Sequence, residues 1–318
     1  MEDKTGDCRF ADLRQRYERY LMEVRGFARS TLAHHSTAVA DFLERGLRPR
    51  QRLRTLTGTD IEHFVGVRGA EVSRQTLQHT VAALRAFLRW CHDLGEIPAQ
   101  LDAIDTPRTY RGELPPRALD WSAVQALLRS IDRGSKSGER DYAILHLMAH
   151  YGLRPSEIAL LRLDSIDWTS TTLRVEQRKT QSDLVLPLAP ATVNALRRYL
   201  RRDRDRRQEA REQTALFLRE RCPIGPLKNT GVYEIFAKRL KESGQDPTRY
   251  SAYSLRHAFA MRLLSRGVGI KAIGDVLGHR DLESTCVYLR LDIDALRDVA
   301  LEVPAPNDNG ENDGGCHA

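Results

Sequence analysis

The sequence lacks the long apolar segments that mark membrane and secreted proteins. No apolar run approaches the roughly 18 residues that a helix needs to cross a bilayer, so we expect no membrane association. The first residues, Met1-Glu2-Asp3-Lys4, are acidic and polar and lack the basic start and apolar stretch of a secretory signal. Together these features predict a protein that stays in the cytoplasm.

Metal-binding and nucleotide-binding signatures are also missing. The five cysteines are scattered and never stand at metal-ligand spacing, and no histidine joins them in a recognised zinc pattern. Such cysteine usage is typical of a reducing compartment. There is no Gly-rich loop before Lys-Ser/Thr, no dinucleotide-binding glycine pattern and no Gly-x-Ser-x-Gly elbow. We therefore expect neither a metal nor a cofactor, and no nucleotide-driven or acyl-transfer chemistry.

Charge and length indicate what kind of protein remains. The 318 residues carry 50 Lys and Arg against 43 Asp and Glu, which gives a net charge of +7. This basic balance favours a polyanionic partner but suits an ordinary basic enzyme equally well. The length predicts two modules, each large enough to have its own core.

The first module, residues 8–98, is predicted to be helical. Apolar residues recur at three- and four-residue steps in four helices, of which the third begins near Asp60 and the fourth after Ser73. Gly46 and Gly95 end the second and fourth helices. The apolar faces of the first, second and fourth helices are Leu13, Tyr17, Leu21 and Val24; Leu32, Val39, Phe42 and Leu43; and Leu77, Val81, Leu84, Leu88 and Cys91.

The second module, residues 119–302, is predicted to be mixed. It follows a proline-rich and polar linker at 99–118, and a polar tail at 303–318 is predicted to be disordered. We expect helices near 121–132, 139–151 and 155–162, then strands at 172–176 and 184–186 around a polar turn. The apolar run 216–218 is a further strand candidate. A helix from about residue 190 carries arginines that form either a solvated face or a phosphate-binding element: Arg197, Arg198, Arg201, Arg202 and Arg204.

Five residues of the second module could together serve phosphoryl transfer: Arg154, Lys179, Arg256, His279 and Tyr288. Guanidinium groups match phosphate oxygens with a planar fork of donors and offset the charge of a pentacoordinate transition state. A tyrosine phenolate can attack phosphorus, and a lysine ammonium can protonate the leaving oxygen. Taken singly, four of them have an ordinary interpretation. Arg154 could be an exposed linker arginine, Lys179 part of a charged hairpin turn, His279 a helix cap and Tyr288 a half-buried packing residue.

In register, these residues resemble the motifs of the tyrosine recombinase family, also called the phage integrase family, which includes the Xer-type recombinases. The family has an arginine in a Gly-Leu-Arg-x-x-Glu-like segment, a lysine on a hairpin that leads into a Val-Pro-Leu-like strand, a His-x-x-Arg-His motif, a Leu-Gly-His segment and a tyrosine nine residues after that histidine. The matching positions are Gly152-Leu153-Arg154 with Glu157, Lys179 with Leu186-Pro187-Leu188, Arg256-His257, Leu277-Gly278-His279 and Tyr288.

The resemblance implies a mainly α fold of the DNA-breaking-rejoining type. A helical N-terminal core-binding (SAM-like) domain would precede a mixed, mainly helical catalytic domain with a small antiparallel β-sheet. The implied activity is that of a site-specific recombinase or integrase of a mobile element or chromosome. Such an enzyme cuts and rejoins DNA strands through a covalent 3′-phosphotyrosyl intermediate, without metal or ATP.

The resemblance also implies a role for each residue. Tyr288 would be the nucleophile, and Lys179 would protonate the leaving 5′-oxygen. Arg154, Arg256 and His279 would hold and neutralise the phosphate.

One position departs from the family pattern, because Tyr253 stands where the first histidine of His-x-x-Arg-His is expected. That histidine helps to hold the phosphate and to remove the nucleophile's proton. A phenol can donate a hydrogen bond but is a poor base near neutral pH, since its ordinary pKa is about 10. Tyr253 is therefore expected to replace the phosphate contact, and His257 to support the site rather than the chemistry.

The implied partner is double-stranded DNA with specific recombination sites, bound by a homo- or hetero-tetramer in the nucleoid. Family members pass a C-terminal segment to a neighbouring subunit. An apolar stripe near the C-terminus suits such docking, or packing on its own domain, equally well: Ile293, Leu296, Val299 and Leu301.

Two alternatives stay open. The chain could be a DNA-binding architectural or regulatory protein that kept the fold but lost turnover through the change at Tyr253. It could also be a topoisomerase-like nicking and closing enzyme that acts without joining two sites, although a separate core-binding module argues against this.

Overall fold

The computed structural model describes residues 10–49, 51–106, 117–177, 182–204, 210, 212–279, 283–286 and 288. The chain forms two compact units, Met1–Glu113 and Leu114–Ala318. The linker prolines, the turn that holds Lys179, the C-terminal apolar stripe and the tail lie outside the described residues.

Four α-helices build the first unit: α1 (Ala11–Glu23), α2 (Arg29–Arg45), α3 (Gly58–Glu71) and α4 (Arg74–Asp93). The predicted helices are confirmed, and their starts have local causes. Thr57 and Asp60 form a capping box at α3, and the Ser73 hydroxyl accepts a hydrogen bond from the Thr76 amide at α4. The prediction for Val24 is wrong, because α1 ends at Glu23 and the Val24 side chain is 70% exposed.

The core of the first unit lies between α1, α2 and α4. Tyr17, Phe42 and Phe87 are buried there, and the rings of Tyr17 and Phe87 meet edge to face with centroids 5.1 Å apart. Such aromatic pairs add about 0.5–1.5 kcal/mol beyond the area they bury. The apolar face of α4 therefore anchors the unit.

The second unit is mainly helical around one small sheet. Its strands are β1 (Ile166–Asp167), β2 (Thr172–Gln177) and β3 (Ser182–Pro187), paired antiparallel in the order β1-β2-β3, with Gln177 opposite Ser182. The helices are α5 (Trp121–Ser130), α6 (Gly138–Tyr151), α7 (Pro155–Leu160), α8 (Pro190–Tyr199), α9 (Asn229–Glu242), α10 (Tyr253–Leu264), α11 (Ile270–Leu277) and α12 (Glu283–Cys286).

The hairpin prediction is confirmed, but the strand prediction at 216–218 is wrong. Ala215 and Leu218 form only isolated bridges, to Arg162 and Pro226, and no ladder develops. The apolar run is nevertheless buried, with Phe217 1% exposed. Burial in the core, rather than pairing in a sheet, explains its composition.

The core of the second unit surrounds α6, which is buried on most of its surface. Its first turn holds a buried charge cluster, in which the Asp141 carboxylate accepts hydrogen bonds from Arg140 and Arg239 at 2.7 Å. Asp141 is 1% exposed, so its charge is stable only because both guanidinium groups face it.

The arginine run after residue 190 makes several intramolecular contacts. Arg198 Nε donates to Glu139 at 3.0 Å, and Arg197 lies over the Trp168 ring at 5.4 Å. Arg204 is 4% exposed and donates to the Ala215 carbonyl at 3.2 Å. The interpretation of this run as a solvated face is therefore wrong for Arg204 only, since the other four arginines of the run are exposed.

The described ranges contain neither a membrane-spanning helix nor a metal-binding cluster. No helix there is both long and apolar enough to span a bilayer. No group of three or more His, Cys, Asp or Glu side chains there is placed to hold a metal ion.

Candidate active site

The candidate site is built around two helix ends in the second unit. Gly152 ends α6 with φ +64°, and Gly278 ends α11 with φ +63°, a left-handed conformation that glycine adopts without strain. Both ends are tightly packed. A Cβ atom on Gly152 would lie 2.6 Å from Phe259 Cδ1, and one on Gly278 would overlap Oε1 of Gln177.

Arg256 joins these two helix ends. It lies on α10 and is 3% exposed, and its Nη1 donates to the Gly152 carbonyl at 2.7 Å while Nη2 donates to the Leu277 carbonyl. The last carbonyls of a helix lack intrahelical partners and carry partial negative charge, so a buried guanidinium is stabilised between two of them. Burial first, and then the charge of Arg154, lower the pKa of Arg256 to about 10, so it remains a cation at neutral pH.

Arg154 approaches the same turn from the start of α7. Its backbone N–H donates to the Glu157 carboxylate at 2.7 Å, and its Nη1 lies 2.6 Å from the other carboxylate oxygen. Its Nη2 donates to the Gly278 carbonyl at 3.3 Å. The side chain is 14% exposed, so the interpretation of Arg154 as an exposed linker arginine is wrong.

His279 follows directly after the Gly278 turn. Its backbone N–H donates to the Gly274 carbonyl at 2.9 Å, so it does contribute to the helix end. Its ring Nδ1 lies 2.8 Å from the Thr285 hydroxyl, which fixes the orientation of the imidazole. Burial, and then the charges of Arg256 and Arg154, lower the pKa of His279 to about 4, so the ring is neutral at pH 7.

Tyr288 lies inside the unit and is 2% exposed. Its backbone N–H donates to the Thr285 carbonyl at 3.0 Å, and its phenol oxygen lies 3.0 Å from Nδ1 of His257 on α10. Burial raises the pKa of Tyr288, while Arg256 and Arg154 act in the opposite direction. Tyr288 is therefore buried more deeply than the interpretation as a half-buried packing residue predicted. Its hydroxyl has a hydrogen-bonding partner in His257.

Tyr253 is the first residue of α10, one turn before Arg256 and His257. It is half-buried, and its ring centroid lies 6.3 Å from that of Tyr233 on α9. Burial, and then the hydrogen-bonded neighbour Tyr253, raise the pKa of Tyr233 to about 12. Tyr233 therefore stays protonated and contacts the residue that replaces the motif histidine.

Lys179 lies outside the described residues, but the strand that leads to it does reach the site. Gln177 ends β2, is 4% exposed and packs its side-chain amide against Gly278. Because Lys179 follows Gln177 by two residues, the chain before it is held at the same turn that Arg154 and Arg256 contact.

The structure thus brings Arg154, Arg256, His279 and Tyr288 around one turn. Sequence reasoning missed Gln177 and Thr285, and it missed the contact between His257 and the Tyr288 hydroxyl. For Gln177 the sequence holds one signal, the glycine of the Leu-Gly-His segment, because a glycine at a helix end can mark a close approach by another chain segment. The sequence holds no such signal for Thr285 or for the contact between His257 and Tyr288.

Comparison with known proteins identifies the family. Residues 117–294 match the model of the phage integrase family, and residues 15–93 match that of the phage integrase N-terminal SAM-like domain. The chain therefore belongs to the phage integrase family, the tyrosine recombinases that carry out site-specific recombination. The predicted family and the predicted mainly helical fold with a small antiparallel sheet are confirmed.

Relatives resemble the chain over most of its length. One relative is the integrase/recombinase y4rA of Sinorhizobium fredii (strain NBRC 101917 / NGR234). It is 34% identical to this chain over 293 residues, which are 91% of this chain and 70% of y4rA. Tyrosine recombinase XerD of Lacticaseibacillus casei is 27% identical over 273 residues, 86% of this chain and 91% of XerD.

A solved structure shows the same fold. The XerH site-specific recombinase, crystallised in a post-cleavage complex with its palindromic difH substrate, superposes with a TM-score of 0.70 at 17% identity. The match covers 90% of this chain and 83% of XerH.

Proposed function

We propose that the protein is a catalytically active site-specific DNA recombinase in which Tyr288 is the nucleophile. The observation that carries this proposal is the convergence of four chain segments on the turn at Gly278. Arg154 and Arg256 donate to its carbonyls, His279 belongs to it, and Tyr288 is linked to His279 through Thr285. Residues that only packed the core would not need two cations at one turn.

The two arginines and His279 form the phosphate-binding part of the proposed site. Each guanidinium has five N–H donors and uses part of them on backbone carbonyls, which fixes its plane. The remaining donors are prearranged for a phosphodiester and for the charge that builds on its oxygens in the transition state. His279, neutral and oriented by Thr285, adds a ring N–H at Nε2 when Nδ1 accepts the Thr285 hydrogen bond.

The proposed reaction conserves bond energy. The Tyr288 oxygen attacks phosphorus, the bond from phosphorus to the 5′-oxygen breaks, and Lys179 protonates that oxygen. A 5′-hydroxyl of the partner strand then attacks the 3′-phosphotyrosyl ester and releases Tyr288. Because each ester replaces another, the cycle needs neither ATP nor a metal.

The proposed partner is double-stranded DNA with specific sites, bound in the nucleoid by a homo- or hetero-tetramer. The net charge of +7 supports a polyanionic partner. Solved relatives include XerH bound to its difH substrate and a lambda integrase dimer bound to a core site. We propose residues 8–98 as the core-binding domain and 119–302 as the catalytic domain.

Tyr253 supports a second candidate function. If a phenol at this position cannot replace the motif histidine, the chain binds DNA as an architectural or regulatory protein and does not cleave it. This candidate predicts binding without a covalent product.

The test begins with duplexes enriched by binding from a pool with a randomised central segment. A nick placed near the expected cleavage point makes each duplex a suicide substrate, because the short cut fragment leaves and religation stops. Wild type, Tyr288→Phe, Tyr253→Phe, Tyr253→His and the control Tyr20→Phe are compared on denaturing gels. Tyr20 belongs to the other unit.

A covalent band that is lost only in Tyr288→Phe supports the active recombinase. A band that appears only in Tyr253→His, on DNA that the wild type binds, supports the architectural alternative. Strand exchange between two labelled sites then separates a recombinase from a topoisomerase-like enzyme, which relaxes DNA without exchanging strands.

A further inference from the structure

The Tyr288 hydroxyl and the imidazole of His257 form a contact that the assigned roles do not explain. The phenol oxygen and Nδ1 are 3.0 Å apart, and both side chains are largely removed from water. The motif residue expected to remove the nucleophile's proton is absent, because a tyrosine stands at position 253.

We propose that His257 is a catalytic residue: it accepts the phenol proton of Tyr288 when DNA is cut and returns it when DNA is rejoined. This inference rests on the proposed function and deepens it, since it names the base that the substitution at Tyr253 leaves unassigned. It also changes the role of His257 from support to proton transfer.

Helix geometry shows why His257 can take over this step. Tyr253 and His257 are four residues apart on α10, so their side chains project from the same helix face one turn apart. An imidazole at 257 therefore stands one helical turn beyond the expected position. The separation of 3.0 Å is within the roughly 2.6–3.2 Å that direct proton transfer requires.

The charges around His257 suit a proton acceptor whose basicity increases when DNA is bound. Burial, and then the neighbouring charge of Arg256, lower the pKa of His257 to about 4, so the ring is neutral and its Nδ1 can accept a hydrogen bond from the phenol. A phosphodiester held by Arg256 would offset that positive charge. The imidazolium would then be less costly, and the base would strengthen when DNA is bound.

The proton balance is closed. In cleavage the O–H bond of Tyr288 breaks and an N–H bond forms at His257 Nδ1, while the phenol oxygen binds phosphorus and Lys179 gives a proton to the departing 5′-oxygen. In rejoining the incoming 5′-hydroxyl returns its proton to Lys179, and His257 protonates the phenol oxygen as it leaves phosphorus.

The experiment measures single-turnover formation of the covalent adduct on the enriched suicide duplex. His257→Asn keeps an acceptor oxygen close to the position of Nδ1 but cannot take up a proton, and His257→Ala leaves a space that added imidazole can fill. His63→Asn is the matched control, because His63 is exposed on α3 in the other unit. DNA binding and thermal melts confirm that each variant is folded.

We expect adduct formation to slow by about 10²- to 10⁴-fold in both His257 variants, the usual contribution of general base catalysis. Imidazole should restore part of the rate in His257→Ala and none in His257→Asn. A folded His257→Asn that cleaves at the wild-type rate overturns the inference alone. A wild type that forms no adduct on DNA that it binds overturns the proposed function and the inference with it.

A sulfur substitution identifies the step. A duplex with sulfur in place of the 5′-bridging oxygen has a leaving group that needs no protonation. Variants of Lys179 should recover on this substrate, whereas His257→Asn should stay slow because its defect lies at the nucleophile. Recovery of His257→Asn would place His257 on the leaving-group side and contradict the inference.

Discussion

The side-chain amide of Gln177 packs so closely on Gly278 that a Cβ atom on Gly278 would overlap Oε1 of Gln177. This contact joins the end of α11 to the end of β2, so the two arginine-bearing segments and the hairpin share one packing point. The geometry of the site therefore depends on a glycine at which a side chain could be added only by displacing Gln177.

Gly278→Ala should damage both folding and cleavage. The residue combines φ +63° with a clash against a buried amide, whereas Gly267 combines φ +77° with open space around its Cα. A non-glycine residue in the left-handed region lowers the free energy of unfolding by about 1–3 kcal/mol. We expect Gly278→Ala to lower it further than Gly267→Ala does, because the new Cβ atom at position 278 also overlaps the Gln177 side chain. Urea unfolding of both variants measures the difference, and equal losses would show that the contact with Gln177 is not tight.

Arg256→Lys should abolish most of the activity despite keeping the charge. A single ammonium cannot bond the Gly152 and Leu277 carbonyls and still present a planar fork to phosphate. We expect adduct formation to fall by about 10²-fold or more, and stability to fall by about 1–3 kcal/mol for the carbonyl left unpaired. Arg266→Lys, exposed beyond the end of the same helix, should match the wild type in both measurements.

The buried charge cluster on α6 predicts a large loss of stability without a change in chemistry. Asp141→Ala would leave the guanidinium groups of Arg140 and Arg239 facing one another without their shared carboxylate. Breaking such a buried pair costs about 3–5 kcal/mol. Asp164→Ala, which removes an exposed pair with Arg162, should cost no more than about 1 kcal/mol. Chemical denaturation of both variants provides the comparison.

Stability should decline as the pH falls from about 6.5 to about 4. His146, His257 and His279 have pKa values lowered to about 4 by burial first, whereas histidines in the unfolded chain titrate near 6.5. Between these values the unfolded chain binds more protons, so stability is full above about pH 6.5 and is lost toward pH 4.

Urea midpoints across this range measure the effect, and a substitution at His146 isolates one histidine. His146→Gln can keep the bond from Nε2 to the Thr192 hydroxyl at 2.9 Å but does not titrate, so its midpoint should change less with pH. His63→Gln, at an exposed position, should leave the slope as it is in the wild type. Parallel slopes for all three proteins would contradict the assignment of this effect to buried histidines.

Local patterns predicted the helices, but distant contacts could not be predicted from them. The stripe on α4 follows from its own spacing, whereas Gln177 and Gly278 meet only because the chain folds back. The run at 216–218 has the composition of a strand but packs as a buried segment, and β1 spans only two residues, too few to show alternation. In the site, motif order placed Arg154 and Tyr288 in one family pattern, while the contact of His257 with Tyr288 depends on how α10 packs.

The burial of Tyr288 has a consequence for the proposed cleavage reaction. If Tyr288 is the nucleophile, the phosphate has to reach a phenol that is 2% exposed in this conformation, so DNA would have to uncover the Tyr288 hydroxyl while His257 stays beside it. The DNA would then supply the free energy that separates the covered conformation from the uncovered one. A DNA sequence that binds the covered and the uncovered conformation equally well would occupy the protein without being cut. DNA sequences would then be distinguished as much by the difference between these two binding free energies as by their overall affinity.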